Sequence, residues 1–127
     1  MEVEWLANNL KKKDECRFAI CLKETDEYIG NIQIIDIHNR TGEFHLFIGE
    51  EKYWGKGIST KASRLLFEYA FLELQLEVLV LDVHVENQAA ISLYRKLGFS
   101  SLNADQEFIR MMVTRDIYCR SLNSLSQ

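Results

Sequence analysis

The 127-residue chain has no proline, no low-complexity stretch and no internal repeat, so nothing in it reads as an interdomain linker. Cysteine is scarce and odd in number. Cys16, Cys21 and Cys119 match no metal-ligand spacing, which leaves a reduced, cytoplasmic setting as the expectation and no metal site. Cys21 alternates within a strand pattern and is expected as a small buried hydrophobe. The longest apolar runs are strand-sized, and none approaches a membrane span. Met1-Glu2-Val3-Glu4-Trp5 has neither the basic start nor the apolar core of a signal peptide. A formal net charge of −4 with no basic block argues against sequence-independent nucleic-acid binding. What is present is ordinary for a soluble globular chain: 47% hydrophobic and 27% charged residues, enough for one domain over 1–127.

The rest is organised around Tyr53-Trp54-Gly55-Lys56-Gly57-Ile58-Ser59-Thr60. An alternating apolar run at 44–48 precedes it and reads as a strand. Ala62, Leu65, Leu66, Tyr69 and Ala70 follow at helical spacing, so the arrangement is strand, glycine loop, helix. Gly55 and Gly57 permit a sharp turn and close backbone approach to a ligand. The unpaired N–H groups of the helix's first turn sit at the positive end of its dipole, which makes a phosphate site. The spacing is neither a P-loop, since Gly49 and Gly55 stand one residue too far apart, nor a dinucleotide fingerprint, since the third glycine is missing. A tight turn without a ligand is the other reading.

Taken in order, residues 3–13 read as a short helix, with Trp5, Leu6 and Leu10 apolar and three lysines at its end. Strands are expected near 18–22, 28–37 and 43–48, joined by turns at 23–27 and 38–42 as an antiparallel meander. A helix over about 59–74 follows. The strand at 76–85 is apolar on both faces until one face changes to Asp82 and His84, which suggests a cleft at that end. Asn87 can cap the next helix, whose stripe is Ala90, Leu93, Tyr94 and Leu97, and Gly98 sits where a left-handed cap belongs. Two last strands are expected at 99–102 and 107–117, with a frayed tail over 121–127.

Two motifs then carry a resemblance. One is Ile48-Gly49-Glu50-Glu51-Lys52-Tyr53-Trp54-Gly55-Lys56-Gly57-Ile58-Ser59-Thr60. The other runs from Val83-His84-Val85-Glu86-Asn87-Gln88 to Leu93-Tyr94-Arg95-Lys96-Leu97-Gly98-Phe99. In this order, separated by a helix and a strand, they resemble the core of the GNAT superfamily of acetyl-CoA-dependent N-acetyltransferases, particularly the ribosomal-protein N-terminal acetyltransferase branch. The resemblance implies an α+β fold: a twisted, mostly antiparallel sheet with a parallel, splayed central pair and flanking helices. It also implies that a first strand and helix are absent ahead of residue 3, leaving a sheet edge through which a homodimer can form.

By the same resemblance, acetyl-CoA is the cosubstrate. The backbone of Trp54, Gly55, Lys56, Gly57, Ile58 and Ser59 is expected to hold its pyrophosphate, with Lys56 adding charge. The strand ending at Ile48 and Gly49 is expected to pair with the pantetheine arm, and Asn87 to touch that arm besides capping its helix. Tyr94 matches the family tyrosine that protonates the leaving thiolate; its other reading is a core aromatic. Transfer needs a base for the amine proton, and the candidates are Asp82 and Glu43, with His45 and His84 on related faces. A backbone N–H near Ile48 or Gly49 is expected to meet the thioester oxygen. The acceptor is a primary amine on a protein N-terminus, an amino sugar or a polyamine, attacked directly and without a cysteine intermediate. Neither nucleic acid nor membrane is expected as a partner. The alternative is a non-catalytic acyl-CoA-binding or regulatory module of the same fold, and a blander one is a fragment stable only as a dimer.

Overall fold

The structure, a computed structural model, describes residues 3–7 and 14–125. The elements run β1 (Val3–Ala7), β2 (Cys16–Leu22), β3 (Tyr28–His38), β4 (Thr41–Ile48), α1 (Ile58–Glu68), β5 (Val78–His84), α2 (Gln88–Lys96), β6 (Ser100–Ala104), β7 (Phe108–Thr114) and α3 (Arg115–Leu125). The strands form one seven-stranded sheet in the order β1-β2-β3-β4-β5-β7-β6. This is the expected mixed α+β architecture, antiparallel everywhere except between β4 and β5.

Local chemistry sets the meander. Isoleucines at 32 and 34, two residues apart, give β3 a β-branched, buried side. Asn39 and Arg40 both take positive φ, 49° and 61°, between the paired residues His38 and Thr41. That is the mirror-image turn whose twist suits a two-residue hairpin. From β4 the chain must cross over to reach a parallel neighbour, and α1 makes the crossover. Thr41, Gly42 and Glu43 pair with Val78, Leu79 and Val80, and beyond Glu43 the pairing stops. Meanwhile β5 stays paired with β7 along its whole length, from Val78 to His84. The central strands therefore share three rungs and then part.

The three described helices cover one face of the sheet. Phe44 of β4 packs on Phe67 of α1 at 5.8 Å, Tyr94 of α2 at 6.1 Å and Phe99 at 5.6 Å. Tyr118 of α3 joins through Phe67 at 6.2 Å and Phe71 at 5.4 Å. Phe67 and Phe71 are almost wholly buried, so this aromatic cluster clamps the helices to β4 where it leaves β5.

Four expectations change. Residues 3–7 are not helical but form the strand β1, paired with β2 from Val3↔Leu22 to Ala7↔Phe18, so a strand does lie beside β2; residues 8–13 lie outside the described residues. The final strand ends at Thr114 rather than 117, and the tail from Arg115 to Leu125 is helical. Thr114 Oγ1 accepts from the Ile117 N–H at 3.2 Å, Asp116 lies in the first turn, and Tyr118 is buried. Capping and burial together outweigh the strand-like alternation at 107–117. The helix expected over 59–74 is α-helical only to Glu68 and continues as a π-turn, Tyr69–Glu73. Cys21 is half-buried rather than buried.

Candidate active site

The glycine loop is built as a turn that only glycine takes without strain. Gly55 and Gly57 have φ of 73° and 80°, and no heavy atom lies within 4 Å of where a Cβ would stand. Their requirement is conformational rather than steric, and the space beside them is open. Gly57 caps α1 with no side-chain bond. The first rung of the α1 ladder is the Lys61 N–H to the Gly57 carbonyl, 3.0 Å, so the amides of Ile58, Ser59 and Thr60 stand ahead of it. Those amides, the positive end of α1 and the exposed Lys56 side chain form one anion-attracting corner.

The strand edge leading to that corner is free. The Gly49 N–H donates to the Ile29 carbonyl at 3.0 Å, which makes 29 and 49 a hydrogen-bonded pair. Polar groups alternate sides along an antiparallel strand, so those of Ile48, Leu46 and Phe44 face away from β3 and toward β5. Past Glu43 no strand among the described residues pairs with them there. The Gly49 amide, one of two candidates for the thioester oxygen, is spent on Ile29; the Ile48 amide faces the opening. The Ile48 carbonyl accepts from the Trp54 indole at 3.0 Å.

Tyr94 sits at the apex of the opening on the helix side. Its ring packs edge-on against Phe44, the first residue beyond the last β4–β5 rung, and against Phe99 at 5.7 Å. Burial pushes the Tyr94 phenol above its ordinary value, so it stays protonated and able to donate. Its core and acid readings are therefore compatible: the ring packs while the hydroxyl has no hydrogen-bond partner among the described residues. Asn87 caps α2 as expected, its Oδ1 accepting from the Ala90 N–H at 3.1 Å. Seven residues apart, Asn87 and Tyr94 lie on the same side of α2.

The carboxylates lie on the other face of the sheet. Glu43 and Val80 are partners on the last rung, and Asp82 and His84 continue the Val80 side along β5. Glu43 Oε1 meets His45 Nε2 at 3.0 Å. Asp82 Oδ2 accepts from Arg110 Nη1 at 3.0 Å across the Asp82↔Arg110 pair of β5 and β7. Arg110 was not legible as its partner, because the pairing depends on a register 28 residues away. His84 accepts the Glu86 N–H at Nδ1, 3.1 Å, and rests on the Phe108 ring, as a strand-end residue turned from the opening does. The structure thus places Glu43 on the last rung and Tyr94 against Phe44 one residue beyond it, on opposite faces, with the free edge of β4 running from there to the glycine loop.

Comparison with known proteins agrees with this geometry. The acetyltransferase (GNAT) domain family matches residues 1–100. The spermidine N(1)-acetyltransferase of Escherichia coli K12 is 40% identical over 95 residues, 72% of this chain and 49% of the relative. The uncharacterized N-acetyltransferase p20 of Bacillus licheniformis is 38% identical over 85 residues, 65% of this chain and 47% of the relative. A crystal structure of spermidine N-acetyltransferase from Vibrio cholerae in complex with CoA and spermine superposes with a TM-score of 0.74 at 27% identity, covering 84% of this chain and 69% of that one. These names point to spermidine acetyltransferases rather than specifically to the ribosomal-protein branch. The chain spans about half the length of the first two relatives. A fold with a splayed parallel pair, a glycine loop opening a helix at its mouth and a match over residues 1–100 place the chain in the GNAT acetyltransferase domain family.

Proposed function

We propose that residues 1–127 act as one domain that transfers an acetyl group from acetyl-CoA to a primary amine, and that the amine belongs to a polyamine. The observation that carries this is the end of β4–β5 pairing at Glu43↔Val80, with a free strand edge, an amide-lined loop and a protonated tyrosine gathered around the gap. The names of the relatives favour spermidine or spermine over a protein N-terminus or an amino sugar.

In this reading the residues fit the coenzyme in three places. The amides of Gly55 to Ser59 face the pyrophosphate, with Trp54 supplying its backbone and Lys56 its charge. The inward-facing groups of Leu46 and Ile48 bond the pantetheine amides as a neighbouring strand does, with Gly49 beside them and Asn87 across the gap. Glu43, steadied by His45, takes the amine proton directly or through water. We favour it over Asp82, whose Oδ2 is already engaged by Arg110. The amine nitrogen bonds to the acetyl carbon, the carbon–sulfur bond breaks, and the Tyr94 hydroxyl gives its proton to the departing thiolate. Solvent then restores the phenol.

The test is thiol release from acetyl-CoA in the presence of spermidine, spermine, an N-terminal peptide or glucosamine. Release with the polyamines and little with the others is expected. Coenzyme binding without release for any acceptor identifies the non-catalytic module instead.

A further inference from the structure

Two consecutive aromatic side chains hold the glycine loop from opposite sides. Tyr53 is buried, and its hydroxyl donates to the Glu27 carboxylate in the turn between β2 and β3. Trp54 points the other way and donates its indole N–H to the Ile48 carbonyl at 3.0 Å. The loop they open, Gly55-Lys56-Gly57, has no side-chain cap of its own, and its glycines give it freedom rather than rigidity. Backbone bonds just ahead of it are few: Tyr53 N–H to the Glu50 carbonyl at 3.1 Å, and Trp54 N–H to the Glu51 carbonyl at 3.0 Å. Beyond the burial of Ile58 at the start of α1, the loop's position relative to β4 is set by these two side chains.

We propose that Tyr53 and Trp54 are positioning residues that fix the anion-binding loop against the open edge of β4, and that Glu27 is the remote anchor of this clamp. The inference rests on the coenzyme reading above and adds side-chain roles to it. Its physical content is preorganisation. A ligand that grips both the loop amides and the strand edge needs the two at a fixed separation, and a loop already held loses little freedom when it binds. The Trp54 bond has a second effect. The Ile48 carbonyl is the last acceptor on the β4 edge that faces β5, and the indole occupies it. With one lone pair of that carbonyl already taken, pairing that starts at the Ile48 N–H and the Leu46 carbonyl is favoured, which biases a ligand's register along the strand.

The experiment is calorimetric titration of coenzyme A into the unsubstituted protein and into Trp54→Phe, Tyr53→Phe and Glu27→Gln, with thermal melts of each. Trp54→Phe keeps the ring and loses only the donor. Its affinity is expected to fall about five- to tenfold, the worth of one hydrogen bond, with an unchanged melt. In turnover assays KM for acetyl-CoA rises while kcat at saturation stays within about twofold; a simple folding defect does the reverse, lowering the active fraction at constant KM. Glu27→Gln leaves the loop sequence intact and is read where Tyr53→Phe fails to fold; it too is expected to weaken binding. Affinities within twofold of the unsubstituted protein for both Trp54→Phe and Glu27→Gln overturn the clamp while leaving the coenzyme reading standing. No heat from the unsubstituted protein overturns the coenzyme reading, and the clamp with it.

Discussion

At the scale of single residues, the site depends on groups whose surroundings decide what they can do. Tyr94 is the clearest case. Its ring is fixed by Phe44 and Phe99, and burial raises its phenol above the ordinary tyrosine value near 10. In the proposed reading the Tyr94→Phe variant keeps the packing and loses the acid's proton, so turnover is expected to fall about 10²-fold with coenzyme affinity nearly intact. An acid acts while protonated, so any loss of rate due to Tyr94 belongs on the alkaline side, above about pH 10. A rate that collapses between neutrality and pH 8 has another cause. Gly57 makes a second prediction. At φ of 80° with open space around it, alanine meets no clash but must adopt a left-handed backbone. Gly57→Ala is expected to cost about 1 kcal/mol in urea unfolding and to weaken coenzyme binding. Ser63 makes a third. Its Oγ is fully buried on α1 without a hydrogen-bond partner among the described residues, so Ser63→Ala is expected to stabilise the fold by about 1 kcal/mol. An unchanged or lower urea midpoint contradicts it.

At the scale of elements, the sequence announced those whose signals are local. The loop at 53–60, the Asn87 cap, the Gly98 turn and the change of β5 from apolar to polar at Asp82 each come from a few neighbouring residues, and each stands where it was expected. The elements that were missed depend on distant contacts. Residues 3–7 carry apolar spacing compatible with a helix, and only pairing with β2 makes them a strand. α3 had a readable start in Thr114 followed by Arg115 and Asp116, but alternation in the preceding strand masked it. What anchors α3 is Tyr118 against Phe67 and Phe71, residues far away in the chain. Thr114→Ala removes the cap of α3 and is expected to cost about 1 kcal/mol of stability, read as a lower urea midpoint with an unchanged slope. The candidate site was legible to the same degree. Tyr94 and Glu43 were named from motif and strand position, whereas their places on opposite faces where β4 leaves β5, the diversion of Asp82 to Arg110 and the engagement of Gly49 with Ile29 required the register.

At the scale of the whole molecule, three tyrosines and one thiol respond to alkali together. Burial raises Tyr94, Tyr118 and Cys16, and the bond to Glu27 raises Tyr53. A group with a folded-state pKa above its unfolded value contributes stability that is present below the unfolded value and lost as pH rises through the folded one. The urea midpoint is therefore expected to hold near neutrality and fall once pH passes about 9 to 10, where free thiols and phenols begin to ionise. A midpoint that stays level to about pH 11 contradicts these shifts. None of the described helices is long and apolar enough to cross a membrane.

The short junction between β4 and β5 has a further consequence. Strands β1 to β4 and strands β5 to β7 behave as two plates riveted at one corner, by three rungs and the aromatic cluster above them. Amide deuteration gives such a seam a signature: Leu46 and Ile48 exchange early, while Leu81 and Val83, locked against β7, exchange late. A guest lying in the wedge supplies the absent rungs, so the mouth that admits it also becomes the rivet that stiffens the pair.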